Sequence, residues 1–161
     1  SRHYLYYMGD IFREDLINSN IKQYRQHGIE IINCPKKESF EGVIKILDSL
    51  LKKILKKNYI FIFTDPKLKK KSQFIFETKT QKNQINSFVN TFKSISNSPF
   101  EVNLESNFFS QDYHQDIFFY AYSTKSKKIL AQGGVYHYSK NKSKIDGFGF
   151  SCNVDNLSEL I

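Results

Sequence analysis

The sequence predicts an α+β domain: an antiparallel β-sheet flanked by helices. Two observations carry that class and a third marks where its function lies. Stretches rich in Tyr, Phe, Ile and Val recur with polar turns between them, two before a helical stretch, one after it, and four more in succession beyond Pro99. Between Phe40 and Leu55 the apolar residues instead return every three or four positions, the period of an amphipathic helix. Glycines fall inside strand-like sequence at Gly133, Gly134, Gly147 and Gly149, where a strand lets another backbone or a ligand come close.

Taken in order, Tyr4 to Phe12 is aromatic and β-prone, and Tyr24 to Ile32 brings β-branched Ile29, Ile31 and Ile32. These read as antiparallel strands joined by an exposed loop over 14–23, too long for a tight hairpin and so either mobile or given a task. Cys34-Pro35 breaks the pattern. Ser39 then reads as the N-cap of a helix of about five turns whose lysines lie on the far face. Tyr59 to Phe63 lacks a polar face and fits a strand covered on both sides. From 67 to 98 the chain is polar, with a single helical stripe at Ile85, Phe88, Val89 and Phe92. Strands follow at Phe100 to Leu104, Asp116 to Tyr122, Lys128 to Ala131 and Gly147 to Asn153, and a short amphipathic element closes the chain.

A chain of 161 residues is enough for one core and is read as a single domain over 1–161. Fifteen Phe and ten Tyr exclude wholesale disorder, because that much apolar surface has to be buried. The net charge of +8 raises nucleic acid as a partner, but the lysines are scattered over many short clusters, as on a solvated surface. Nucleic acid is therefore not expected. Cys34 and Cys152 have no close Cys or His at metal or redox spacing, so both read as free thiols, with no metal and no cofactor expected. No run of about 18 apolar residues is present, and the first residues lack the apolar core of a signal peptide. The expectation is a soluble, cytoplasmic protein with no membrane contact. The abrupt, strand-like opening without methionine suggests that an upstream segment is missing from this sequence.

Several polar residues sit where the pattern makes them conspicuous. Arg13 ends the first strand ahead of a polar loop; it is either a ligand contact or an arginine that pairs with a carboxylate. Glu30 lies on an apolar strand, where an unpaired charge is costly, so it faces a polar cleft or pairs with Arg13 or Arg25. Gln26 is a second candidate on that strand. Tyr113 and His114 stand in an aromatic stretch that reads equally well as core. The glycine pair Gly133-Gly134 is either a floor for a flat ligand or the mark of a bulge.

In sequence order these stretches resemble the catalytic core of class II histidyl-tRNA synthetases and their paralogues. YYMGDIFRED is similar to the second class II motif, a strand that ends in Phe-Arg-x-Glu. QYRQHGIEII resembles the strand returning from it, QDYHQDIFFYAY the Asp-Tyr-Tyr-Thr-Gly-x-x-Phe histidine-binding strand, AQGGVYHY the Ala-x-Gly-Gly-Arg-Tyr-Asp element, and GFGFSCNVDNL the third motif. The resemblance implies a histidine pocket of Arg13, Gln26, Glu30, Tyr113, His114, Gly133 and Gly134.

The departures from that pattern imply lost catalysis. The third-motif arginine falls on Asn156, and the arginine three residues before the Asp-Tyr-Tyr element falls on Phe109. Val135 and His137 replace the arginine and aspartate of the Gly-Gly-Arg-Tyr-Asp element, and the 14–23 stretch lacks the family's Gly-Arg-x-Arg. The losses at Asn156 and Phe109 remove fixed cations that would meet a pyrophosphate leaving group. Among the paralogues, this combination resembles the regulatory subunit of short-form ATP phosphoribosyltransferase, which carries no catalysis, supports the catalytic subunit at the first step of histidine biosynthesis and relays feedback by L-histidine. The implied partners are that catalytic subunit and a second copy of the chain, as a homo-dimer within a hetero-oligomer. A divergent or fragmentary histidine-tRNA ligase is the alternative. The first class II motif, whose long helix makes the family's dimer interface, has no counterpart here, and 67–98 is shorter than the family's equivalent segment.

Overall fold

The computed structural model describes residues 1–15, 20–64, 79–103, 117–140 and 143–161. Its elements are β1 (His3–Asp15), β2 (Asn20–Ile32), α1 (Lys36–Leu55), β3 (Tyr59–Thr64), α2 (Lys79–Ile95), β4 (Phe100–Val102), β5 (Phe118–Ser123), β6 (Ile129–Lys140), β7 (Ser143–Asn153) and α3 (Val154–Ser158). The strands form a seven-stranded sheet in the order β1-β2-β7-β6-β5-β3-β4. All its pairings are antiparallel except β3 with β4. The expected α+β sheet with flanking helices is the fold observed.

Cross-strand register sorts the side chains onto two faces, since successive residues of a strand point to opposite sides. Ile29, Ile31, Phe148, Phe150, Cys152, Phe119 and Val135 share the face covered by the helices. There α1 supplies Phe40, Val43, Ile44, Leu47 and Leu51, all fully buried. The Phe40 ring lies 5.0 Å from Phe88 of α2 and 5.6 Å from Phe148 of β7, both edge-on, and Phe92 stands 5.1 Å from Phe63. Edge-to-face rings of this kind add stability beyond the area they bury. The 3.6-residue stripes of the sequence thus become the helix–sheet core, Ile85, Phe88 and Phe92 included.

A single carboxylate locks this layer. Asp48, on the buried face of α1, accepts from Tyr59 Oη (2.7 Å), Ser98 Oγ (2.6 Å), Ser96 Oγ (2.8 Å) and Lys52 Nζ (2.7 Å). Burial works against its charge, but these donors outweigh burial and hold its pKa below the usual carboxylate range. Burial likewise raises the pKa of the Tyr59 phenol, so it stays a donor.

Three expectations are corrected. Helix α1 begins at Lys36 with Pro35 at its N-cap, and Ser39 lies within the first turns. The Ser39 hydroxyl donates back to the Cys34 and Pro35 carbonyls (3.3 and 3.2 Å), since the proline's fixed φ already starts the helix. The β1–β2 ladder runs to Asp15 opposite Asn20, so most of the expected long loop is paired strand; only 16–19 lie between, outside the described residues. Strand β6 continues through the glycine pair to Lys140 instead of stopping at Ala131. In both strands, cross-strand partners carry polar and glycine positions that local propensity disfavours. Among the described residues, no helix is long and apolar enough to cross a membrane.

Candidate functional site

The face of the sheet turned away from the helices carries the polar side chains that the strands present. Register aligns its rows across as many as five strands. Glu30 stands opposite Gly149, which stands opposite Gly134, which stands opposite Phe118. One row up, Tyr7 meets Gly28, then Ser151, Gln132 and Tyr120. The next row pairs Gly9 with Gln26 and Asn153.

Side chains fold over the glycines of this grid. A Cβ at Gly149 would strike the Glu30 carboxyl group and the Ile29 carbonyl; one at Gly28 would strike the Tyr7 ring and, at 2.6 Å, the Phe150 carbonyl; one at Gly147 would strike the Tyr136 ring. Glu30 therefore reaches over Gly149, between Tyr7 on one side and Tyr136 on the other. The Tyr136 hydroxyl donates to the Glu30 carboxylate. The other oxygen, Oε2, is buried and has no hydrogen-bond partner among the described residues. Burial is the main cause of a raised Glu30 pKa, with Tyr136 pulling the other way. A half-buried carboxylate with an unsatisfied oxygen over a floor of backbone is suited to a cationic or N–H donating group with a flat body.

Beside this trough lies a hollow of about 470 Å³, lined by Arg13, Gln26, Gln132, Ser151, Asn153 and Asn156 among others. Lys128 also borders it, its ammonium paired with Glu159. Asn156 is committed to structure: its side-chain amide donates to the Ile129 carbonyl (2.7 Å), and its backbone N–H is capped by Asn153 Oδ1 (2.9 Å). The chain's other arginines are held elsewhere, Arg2 on Glu38 (2.8 Å) and Arg25 on Asp10 (3.2 Å). Arg13 is the arginine of this face.

Of the candidate residues, the structure brings Arg13 and Gln26 into the hollow and Glu30 and Gly134 into the trough beside it. Glu30 pairs with neither Arg13 nor Arg25; Tyr136 is its neighbour instead. Gly133 does not face the trough. Its missing Cβ points toward the helices, 2.8 Å from the Phe119 ring, and the Gly149 carbonyl also crowds it, so glycine there serves packing. Tyr113, His114 and Phe109 lie outside the described residues. Val135 is buried on the helix face, and His137 Nδ1 sits 2.6 Å from Asp146 Oδ1. Tyr7, Tyr136, Gln132 and Ser151 were not singled out from sequence. The alternation Gln132, Gly134, Tyr136 against Gly147, Gly149, Ser151 was the available signal.

No protein-family model matches the chain, and no curated protein matches it. Solved structures do. An ATP phosphoribosyltransferase regulatory subunit/histidyl-tRNA synthetase from Bacillus halodurans superposes with a TM-score of 0.80 at 14% identity, covering 99% of this chain and 58% of that one. The fold is that of a histidyl-tRNA synthetase-like class II core. Apo histidyl-tRNA synthetase from S. aureus matches at 0.65 and 16% identity, over 98% of this chain and 43% of that one. A chain of the ATP phosphoribosyl transferase (HisG:HisZ) complex from Thermotoga maritima matches at 0.69 and 13% identity, over 95% and 73%. This chain thus spans about half the length of the first two. Such identities speak for the class II architecture, whose open sheet face carries the trough and hollow described above.

Proposed function

We propose that the chain is a non-catalytic, synthetase-like regulatory subunit of ATP phosphoribosyltransferase, acting at the first step of L-histidine biosynthesis. The observation that carries this reading is the state of the hollow: one arginine, Arg13, remains on the face, and the residue at the third-motif arginine position, Asn156, is spent on tying α3 to β6. Adenylation develops negative charge on a departing pyrophosphate, and preorganised cations at that point supply several kcal/mol of transition-state stabilisation. A neutral amide cannot.

Binding of an amino acid makes smaller demands. Arg13 offers a planar fork for a carboxylate, Glu30 an acceptor for an ammonium or imidazole N–H, and Gln26 a further amide between them. Tyr113, His114 and Gly134 complete the proposed histidine site, with Gly133 supporting it from behind. Histidine would bias the assembly by binding one of its states more tightly than the other. The proposed setting is cytoplasmic, with the catalytic subunit of the short-form enzyme as partner and the chain itself, read as a single domain, as a homo-dimer within the hetero-oligomer.

The alternative, a divergent or fragmentary histidine-tRNA ligase, draws support from Lys128 at the border of the hollow, although Glu159 already neutralises it. Two assays separate the readings. The chain is expected to restore histidine-sensitive phosphoribosyl transfer to an isolated short-form catalytic subunit and to show no histidine-dependent ATP–pyrophosphate exchange. Exchange above background would overturn the proposal in favour of the ligase.

A further inference from the structure

The lysines that lie scattered in sequence are partly gathered by the fold, at one corner. The Thr124 N–H donates to the Asn58 carbonyl (3.2 Å) and Tyr59 stands opposite Ser123, so the turn after α1 abuts the turn between β5 and β6. Residues 52–58 and 124–128 hold seven lysines and no acid. Two of them are paired, Lys52 with Asp48 and Lys128 with Glu159. The other five, Lys53, Lys56, Lys57, Lys125 and Lys127, are exposed and have no ion pair among the described residues. Lys52 and Lys53 suit the negative C-terminal end of α1. Lys125 and Lys127 belong to another element and owe nothing to that helix.

Stability does not account for lysine in these turns. Lys56 has φ 58° and Lys127 φ 54°, the left-handed region that glycine or asparagine fills with less strain. Ser126 Oγ, between the exposed lysines of its turn, is buried without a hydrogen-bond partner among the described residues. Local order is given up where charge is kept, the pattern of a working site more than of a solvated turn.

The chemistry of the corner narrows its partner. The chain's three arginines lie elsewhere, and no large hydrophobic side chain is exposed on either turn. A protein interface favours arginine and aromatic residues over lysine. Single-stranded nucleic acid calls for aromatic rings on which bases stack, and a bilayer for apolar groups that insert beside the charges. Lysine is a compact charge on a flexible stem, suited to phosphates that follow one another along a chain and carry nothing else. We propose that this corner binds linear inorganic polyphosphate, with Lys53, Lys56, Lys57, Lys125 and Lys127 contacting successive phosphates. The site is separate from the trough and depends neither on histidine nor on the catalytic subunit.

The test uses the whole chain and polyphosphate of defined length, read by calorimetry. With five phosphates engaged, affinity is expected to fall about 100-fold between about 50 and 200 mM salt. K57E/K125E is expected to weaken binding at least tenfold, and K45E, whose lysine is paired with Glu41 on α1, to leave it unchanged. K56N and K127N place asparagine where φ is positive; each is expected to keep or raise Tm while weakening binding, which a purely structural role for these lysines would not produce. Absence of binding overturns the proposal, and so does binding indifferent to K57E/K125E. Equal or tighter binding of a single-stranded oligonucleotide with the same number of phosphates assigns the corner to nucleic acid and overturns it. Binding to anionic vesicles without binding to polyphosphate assigns it to a membrane and overturns it as well.

Discussion

Replacing Glu30 with Gln separates stability from ligand binding in one experiment. The fold desolvates the Glu30 carboxylate and leaves Oε2 without a donor, with Tyr136 as its recorded compensation. An unsatisfied buried polar group costs roughly 1 to 3 kcal/mol, more when charged. Because Glu30 is only half-buried and keeps Tyr136, the low end applies, and Glu30→Gln is expected to stabilise the free protein by about 1 kcal/mol at neutral pH. In a domain of this size that is about 2 to 4 °C in Tm. The direction of the pH dependence follows from the raised pKa. Stability linked to the protonated acid is fully present below the ordinary carboxylate range and is lost as pH rises through the folded-state value. The advantage of the variant is therefore small in acid, grows across that window and levels off above it. Urea melts of both proteins between pH 4 and 8 read this directly, with calorimetry against L-histidine beside them. The variant is expected to bind histidine at least tenfold more weakly while being the more stable protein. A variant less stable than the parent at pH 7, or a stability difference flat with pH, would refute the reasoning about the unsatisfied oxygen.

Asp48 behaves in the opposite sense. Asp48→Ala leaves the buried hydroxyls of Tyr59 and Ser98, which also bond each other, one acceptor short, and a loss of about 1 to 3 kcal/mol is expected in denaturant melts. Because its folded pKa is lowered, the stability it contributes is present above the ordinary carboxylate range and disappears as pH falls through the lower folded value. The stability difference between the parent and Asp48→Ala should accordingly shrink as pH falls through that value. Gly149→Ala drives a methyl group into the Glu30 carboxyl group and the Ile29 carbonyl; destabilisation by about 1 to 3 kcal/mol with loss of histidine binding is expected, and a neutral outcome would show that the trough is looser than drawn. Arg13→Ala, at an exposed position, is expected to leave Tm within about 1 °C and to weaken histidine binding at least tenfold by calorimetry.

Much of this could be read in advance where periodicity is strong. The stripe from Phe40 to Leu55 became α1, and Ile85, Phe88 and Phe92 became the buried side of α2, because a helix that hides one face must write that face at its own period. The glycines at 133, 147 and 149 announced close approach, and they have it. The rest needed register. Nothing local says that Glu30 will lie over Gly149, 119 positions away, or that Tyr7 and Tyr136 will fold over glycines of neighbouring strands. Gly133 and Gly134 look alike in sequence, yet a single step along a strand sends one toward Phe119 and the other toward the open face. The strand ends at Glu14-Asp15 and Asn20-Ile21-Lys22-Gln23 looked like loop, since their pairing is set by each other and not by propensity.

The bare row through Gly134 and Gly149 has an effect that reaches beyond the face it lies on. Where a sheet carries no side chains, the peptide layer is the whole wall, and the aromatic packing of Phe119, Phe148 and Phe150 stands immediately behind it. Anything resting on that thin partition presses on the rings beneath, and through Phe148 on Phe40 at the head of α1. Substitutions at Phe119 or Phe148, screened from any ligand by the peptide layer, should therefore tune affinity as effectively as changes made in plain view of it.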